Sequence, residues 1–293
     1  MSQPGITMGS PASVPRPRAV IARFLDLRAI VCLTYLVAIA VIGLAAPWIA
    51  PYSPVVQDAN NVLLEPNWQH LLGTDDIGRD VLSRLIYGPP ISLYASFLAV
   101  GIGLAIGLPI GLAAGYFGGV IDMLFSRIID TLLSFPGLVL AVAVTGALGI
   151  GLTNGMIAVG IVFSPSLARL VRVQTLVIKH NLYVDAARCF GVSSPRIVMR
   201  HILPNALPPL IVQTTLMLAT ALLAESALSF LGLGVQPPQP SWGAMLARAS
   251  GYMEIAPEQM YAPGLAILLT ALAFNGLGES LRLAMDPTMR RRE

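Results

Sequence analysis

Long apolar stretches, broken by short polar ones, run the length of this chain. No charged residue occurs from Leu85 to Ile121 or from Thr131 to Ala168, and each stretch is too long for the core helix of a water-soluble fold. A bilayer crossing needs about 20 predominantly apolar residues, and on that measure the pattern predicts six helices. The first runs from about Ala29 to Ile49, stopped by Pro47 and Pro51, and the second from about Ser92 to Tyr116. The 38 uncharged residues between Asp130 and Arg169 suffice for two crossings, the third and fourth, hinged at the turn-rich Gly149–Gly155. The fifth spans about Pro209 to Leu233 and carries one carboxylate, Glu225; the sixth spans about Tyr261 to Leu283. The expected class is therefore an all-α integral membrane fold.

Composition agrees and narrows the classes. Of the 293 residues 55% are hydrophobic and 11% charged, against roughly 25% charged in soluble domains. This excludes a soluble enzyme, a disordered protein and a disulfide-stapled secreted domain. A phosphate-gripping P-loop needs a Lys after its glycines, and the only lysine, Lys179, has no such setting. Cys32 and Cys189 offer neither a disulfide framework nor a zinc spacing, and His70, His180 and His201 are scattered, so no metal site is expected. The net charge of +3 comes without the aromatic-interleaved basic patch of a nucleic-acid binder. No convergent nucleophile, base and metal constellation suggests an enzyme.

The arginines answer to orientation instead, because basic flanks stay in the cytoplasm. With both termini inside, Arg16, Arg18, Arg23, Arg28, Arg127, Arg169, Arg172, Lys179, Arg188, Arg196, Arg200, Arg282, Arg290, Arg291 and Arg292 face the cytoplasm, which is 15 of the 18 basic residues. Only Arg79, Arg84 and Arg248 remain outside. The expected divisions are a cytoplasmic, disordered tail over 1–28, the first span with an external interfacial segment over 29–90, a core membrane domain over 91–287, and a basic cytoplasmic tail over 288–293. The apolar run after Arg28 exceeds the 7–15 residues of a signal-peptide h-region, so the first span is expected to remain uncleaved.

Gly103, Gly107, Gly111 and Gly115 recur every four residues and line one face of the second span, where a neighbouring helix can approach closely. Static packing and a seam that slides during transport both fit; Pro109 should kink the same helix.

The polar, basic segment from Arg169 to Pro209 is longer than a connector requires. Residues 181–191 read as a short helix with Asn181 at its N-cap and Gly191 terminating it. Ser194 and Pro195 restart a helix that Leu203-Pro204-Asn205 would end. The paired alanines Ala186 and Ala187 offer a small-residue face, flanked by Leu182, Val184 and Phe190 and by Asp185 and Arg188. A knob gripped by a partner and an amphipathic hairpin resting on lipid fit these residues equally.

Asp185-Ala186-Ala187, Gly191 four residues later, and Leu203-Pro204 resemble the EAA loop of membrane subunits in bacterial ABC importers, with Asp in place of Glu. The resemblance assigns 175–205 to that loop, and Tyr183, Asp185, Ala186, Ala187, Arg188, Gly191, Leu203 and Pro204 to ATPase coupling. Gly73-Thr74-Asp75-Asp76-Ile77-Gly78-Arg79-Asp80, Ala224-Glu225-Ser226-Ala227-Leu228-Ser229-Phe230-Leu231-Gly232, Pro240-Ser241-Trp242-Gly243 and Asp286-Pro287 are similar to the C-type permease of dipeptide, oligopeptide and nickel importers. Pro89-Pro90 departs from that pattern, and Gly251–Met260 follows it poorly. The resemblance implies the type I ABC importer permease fold in a bacterial inner membrane. It further implies a second homologous permease, two ABC ATPases that bind ATP and Mg, an extracytoplasmic substrate-binding protein, surrounding lipid, and no cofactor in this chain. Transport of di- or oligopeptides is expected; a nickel or small-solute importer and a self-sufficient secondary carrier are the alternatives.

From the residues alone, Ile77, Val81, Leu82, Leu85 and Ile86 share one helical face, with Asp80 and Arg84 at i,i+4 on the other. This predicts an interfacial helix in which Asp75, Arg79, Asp80 and Arg84, with Trp242, either dock a binding protein or brace the spans. Glu225, in the outer half of the fifth span, must face protein or water. It either lines or gates the path with Ser226 and Ser229, or it packs against those hydroxyls.

Overall fold

A computed structural model describes residues 26–285, in which helices are the only extended regular elements; an isolated bridge between Thr74 and Asp80 is the only β pairing among them. The expected terminal tails, 1–25 of the first and all of the second, lie outside the described residues, as do Asp286-Pro287. In chain order the helices are α1 (Leu27–Leu44), α2 (Ala46–Ile49), α3 (Val81–Phe117), α4 (Gly119–Leu133), α5 (Gly137–Leu148), α6 (Leu152–Lys179), α7 (Leu182–Cys189), α8 (Ser194–Ile197), α9 (Leu203–Phe230), α10 (Trp242–Ser250) and α11 (Glu258–Met285). Five are long and apolar enough to cross a bilayer, counting the helix that runs on from α8 into α9, and the bent pair α4–α5 makes six.

Three boundaries differ from the sequence expectation. The external interfacial helix and the second span are one unbroken 37-residue helix, α3, despite Pro89, Pro90 and Pro109. At 1.5 Å per residue it is about 55 Å long, well beyond the roughly 30 Å apolar thickness of a bilayer. Ile77 lies before its start, and Asp80 is its N-cap rather than a facing residue. The third span is not one helix: α4 and α5 meet at 96°. Pro136 between them has no N–H to continue the first helix, while Asp122, Arg127 and Asp130 keep α4 polar. Arg169 and Arg172 of α6 pair with Asp130 and Asp122 and strap α4 to its neighbour. Finally, Leu203-Pro204-Asn205 ends nothing. A π turn over Val198–Ile202 joins α8 to α9, and Pro204, in the first turn of α9, sits where its missing N–H costs least.

The core is built on α3 and α6, and the glycine spacing explains how. A Cβ on Gly107 would fall 2.6 Å from the Ser164 carbonyl, and one on Gly111 2.5 Å from that of Ala168. On the facing helix, a Cβ on Gly160 would meet the Ile102 side chain at 2.6 Å. Without side chains between them the two backbones lie in contact, and Ala95, Ala99, Val159, Leu167 and Val171 close around the seam with Leu210, Met217 and Leu228 of α9. A second cluster joins α1 to α9, α10 and α11 through Ala29, Leu36, Leu222, Trp242 and Phe274. Pro89-Pro90 is where α1 leans on α3: a Cβ on Gly43 would meet Pro90 Cδ at 2.5 Å.

Candidate functional site

The loop after α6 sits at the far end of α3 from its N-terminus. Lys179 Nζ donates to the Gly115 carbonyl at 2.8 Å, and the Arg188 guanidinium lies over the Tyr116 ring. Asn181 is the N-cap of α7, as expected, but through its carbonyl, which accepts from Val184 N at 2.9 Å, and not through its side chain. The other end is a Schellman closure: Gly191 N donates to Arg188 O, Val192 N to Ala187 O, and Gly191 has φ +72°. In the next helix Ser193, not Ser194, is the N-cap.

The faces of α7 differ from the sequence expectation. Val184 and Ala187 turn inward onto Ile178, Ile197, Ile202 and Ala206, so the two alanines share no outward face and Val184 is not a contact residue. Outward stand Leu182 and Phe190, each 87% exposed, with Tyr183, Asp185, Ala186, Arg188 and Gly191. Asp185 and Arg188 pair at 3.0 Å across one turn. Leu203 is partly covered and Pro204 exposed on the neighbouring turn. Leu182 and Phe190 thus form an exposed apolar patch flanked by polar residues.

At the opposite end, the polar residues before α3 face inward. Asp75 Oδ2 accepts from Arg79 Nε at 2.7 Å, and Asp75 Oδ1 accepts from the backbone N–H groups of Ile77 and Arg79. Asp80 does not pair with Arg84. One of its oxygens caps α3 by accepting from Ser83 N at 2.7 Å, and the other meets His70 Nδ1 at 2.9 Å. Arg84 donates instead to the Pro54 carbonyl at 2.7 Å. Arg79, Asp80 and Arg84 are all under 4% exposed, so this network ties the 50–80 segment to α3. Arg248 of α10 reaches Asp76 at 3.2 Å and extends it to a third element.

Trp242 and Glu225 occupy the adjoining joint of α3, α9 and α10. The Trp242 ring lies on Gly88, where a Cβ would meet it at 2.5 Å, and its Nε1 donates to the Leu85 carbonyl at 3.1 Å. Glu225 is fully buried. Its Oε1 accepts from Ser229 Oγ at 2.8 Å, and Ser229 Oγ accepts in turn from Val235 N at 3.3 Å. The hydroxyls of Ser92, Ser226 and Ser241 surround the same carboxyl. Ser92 and Ser241 carried no sequence signal toward Glu225, because they approach it from other elements of the chain. Gly243 makes the joint possible: a Cβ there would fall 2.6 Å from Ser226 Cα. Within the described chain, then, Glu225 faces protein.

Between this joint and the ion-pair network lies a half-open cavity of about 250 Å³, walled by Arg79, Arg84, Arg248, Ser229, Gln236 and Gln239 among others. Among the described residues no group of His, Cys, Asp and Glu is arranged to hold a metal ion.

Residues 107–291 match the family described as binding-protein-dependent transport system inner membrane component. Residues 27–66 match the N-terminal TM domain of oligopeptide transport permease C. The glutathione transport system permease protein GsiD of Escherichia coli is 47% identical over 257 residues, 87% of this chain and 85% of its own length. GsiD of Shigella boydii matches to the same extent. Among solved structures, the inward-facing MetNI methionine ABC transporter aligns with TM-score 0.56 at 22% identity, over 69% of this chain and 97% of that one. An amino acid ABC transporter aligns at 0.51 and 20%, over 72% and 94%. The fold is thus that of the type I ABC importer permeases.

Proposed function

This chain belongs to the family of binding-protein-dependent transport system inner membrane components, and from that premise we propose that it forms half of an ATP-driven import pathway for short peptides. It is a multi-pass inner-membrane permease. The substrate class rests on the 47% identity to GsiD, named for glutathione, a tripeptide. In this reading a second, homologous permease completes the pathway. Two ATPases bind ATP and Mg at the loop end of the bundle, and a binding protein delivers solute at the end carrying Arg79, Arg84 and Arg248. Both termini lie on the ATPase side. The chain performs no chemistry and holds no cofactor.

The observation that carries the proposal is the division of α7. Val184 and Ala187 are sunk in the bundle, so a push on the exposed Leu182, Tyr183 and Phe190 passes to Ile178 of α6 and to Ile202 and Ala206 at the start of α9. Because interiors are close-packed, a displaced α7 moves α6 and α9 as bodies, and α6 is locked to α3 by the glycine seam. That is a route for coupling nucleotide closure to alternating access. The test is to purify the chain from membranes by a C-terminal tag and identify what accompanies it. A second permease and P-loop ATPases, whose hydrolysis rises with a peptide-loaded binding protein, are expected. The chain recovered alone would contradict the reading.

A further inference from the structure

We propose that the cavity between the start of α3, the end of α9 and α10 is a carboxylate-binding site, in which Arg79, Arg84 and Arg248 receive an anionic group as solute is handed to the pathway. The proposal rests on the import reading for which side the cavity faces. Three guanidiniums line the cavity, and the carboxylates that touch them are two, Asp75 and Asp76. Asp80 faces away, engaged by His70 and by the α3 cap. The wall therefore carries three cations against two anions. Asp75 is shared between Arg79 and Arg84 and Asp76 between Arg79 and Arg248, so an anion in the cavity would balance the excess positive charge.

One buried donor is also left without a hydrogen bond. Arg79, only 2% exposed, gives Nε to Asp75, but its Nη2, though 2.6 Å from Asp75 Oδ2, has no hydrogen-bond geometry there and no other acceptor. A second guanidinium, Arg84, is 3% exposed and held by the Pro54 carbonyl through Nη1. These side chains are fixed before any ligand arrives, so little rotamer entropy is lost on binding, and guanidinium forks match a carboxylate with two parallel hydrogen bonds. The cavity is slightly smaller than the roughly 300–1,000 Å³ of drug-sized sites, which suits the end of a peptide rather than its whole length. A solute carboxylate and an acidic side chain of the docked binding protein share this chemistry.

The test uses the assembled transporter in right-side-out vesicles, with Gln239→Cys as a reporter on the cavity rim and Cys32→Ala and Cys189→Ser removing the native thiols. Reaction with a membrane-impermeant maleimide is timed with S-methylglutathione, with its carboxyl-capped diethyl ester, and with the solute-free binding protein. We expect S-methylglutathione to slow labelling about threefold or more, the ester to have no effect, and Arg248→Gln to abolish the protection. Protection by the binding protein alone, lost in Arg248→Gln, would place the carboxylate on that protein and still support the site. Equal protection by the ester, protection surviving Arg248→Gln, or no protection by any of the three would overturn it. A reporter that labels and a vesicle that imports, with no protection, would remove this site and leave the import function standing. A reporter unreachable from outside would instead contradict the orientation.

Discussion

Trp242 Nε1 donates to the carbonyl of Leu85, the acceptor that Pro89, four residues on and lacking an N–H, cannot use. The indole stands in for a helix hydrogen bond, and by doing so fixes α10 across α3 at the joint that also holds Glu225. Trp242→Phe keeps most of the ring's packing but orphans a buried carbonyl, which costs about 1–3 kcal/mol. Pro89→Ala restores an internal partner for that carbonyl. The expected result is a lowered melting temperature for Trp242→Phe in detergent and a much smaller further loss when it is made in the Pro89→Ala background. Fully additive losses would show that the hydrogen bond is not what matters.

Bulk in the α3–α6 seam should be intolerable. Gly107→Leu or Gly111→Val must push two backbones apart, at a cost of at least about 1–3 kcal/mol for overpacking, and should abolish recovery of folded chain on size exclusion. Gly101→Ala is the control. It lies in the same helix with no atom within 4 Å of its added methyl, and should express at the parental level.

Leu182→Glu and Phe190→Glu, both on the exposed face of α7, should leave insertion and melting temperature unchanged and lower ATP-coupled uptake by about tenfold or more, the loss typical of a truncated interface anchor. Val184→Glu, two residues from Leu182 but fully buried, should prevent folding. Uptake at the parental rate in both exposed variants would remove α7 as the coupling element.

Glu225 acts, on this structure, through Ser229 and Val235. Ser229→Ala breaks that chain and should cost about 1–3 kcal/mol of stability. Glu225→Gln can keep accepting from the Ser229 hydroxyl and should support uptake near the parental rate. Uptake lost in a Glu225→Gln chain of parental stability would mean that the charge itself works in the path.

The spans, their order and the short helix after α6 were legible because each is written locally, as an apolar run, a four-residue glycine spacing or a cap beside a terminating glycine. What escaped is what depends on another element. Whether Ala187 faces in or out is decided by Ile178 and Ile202, not by its alanine neighbour. Asp80 and Arg84 stand at helical spacing, yet Asp80 is taken by the helix cap and His70, and Arg84 by Pro54. The continuity of α3 through Pro89-Pro90 was hidden for the same reason, since its remedy, Trp242, lies 157 residues from Leu85 in sequence. The break at Pro136 had a local signal, but the uncharged run around it outweighed that signal.

The central claim is that this chain passes peptide only as part of an ATP-driven assembly, and reconstituted uptake tests it most directly. Liposomes carrying the chain with its partner permease and ATPases should accumulate labelled glutathione only with ATP on the ATPase side and loaded binding protein on the other, and ionophores that collapse proton and sodium gradients should not slow them. Accumulation by the chain alone, driven by an ion gradient and indifferent to ATP, would contradict the account and make it a secondary carrier.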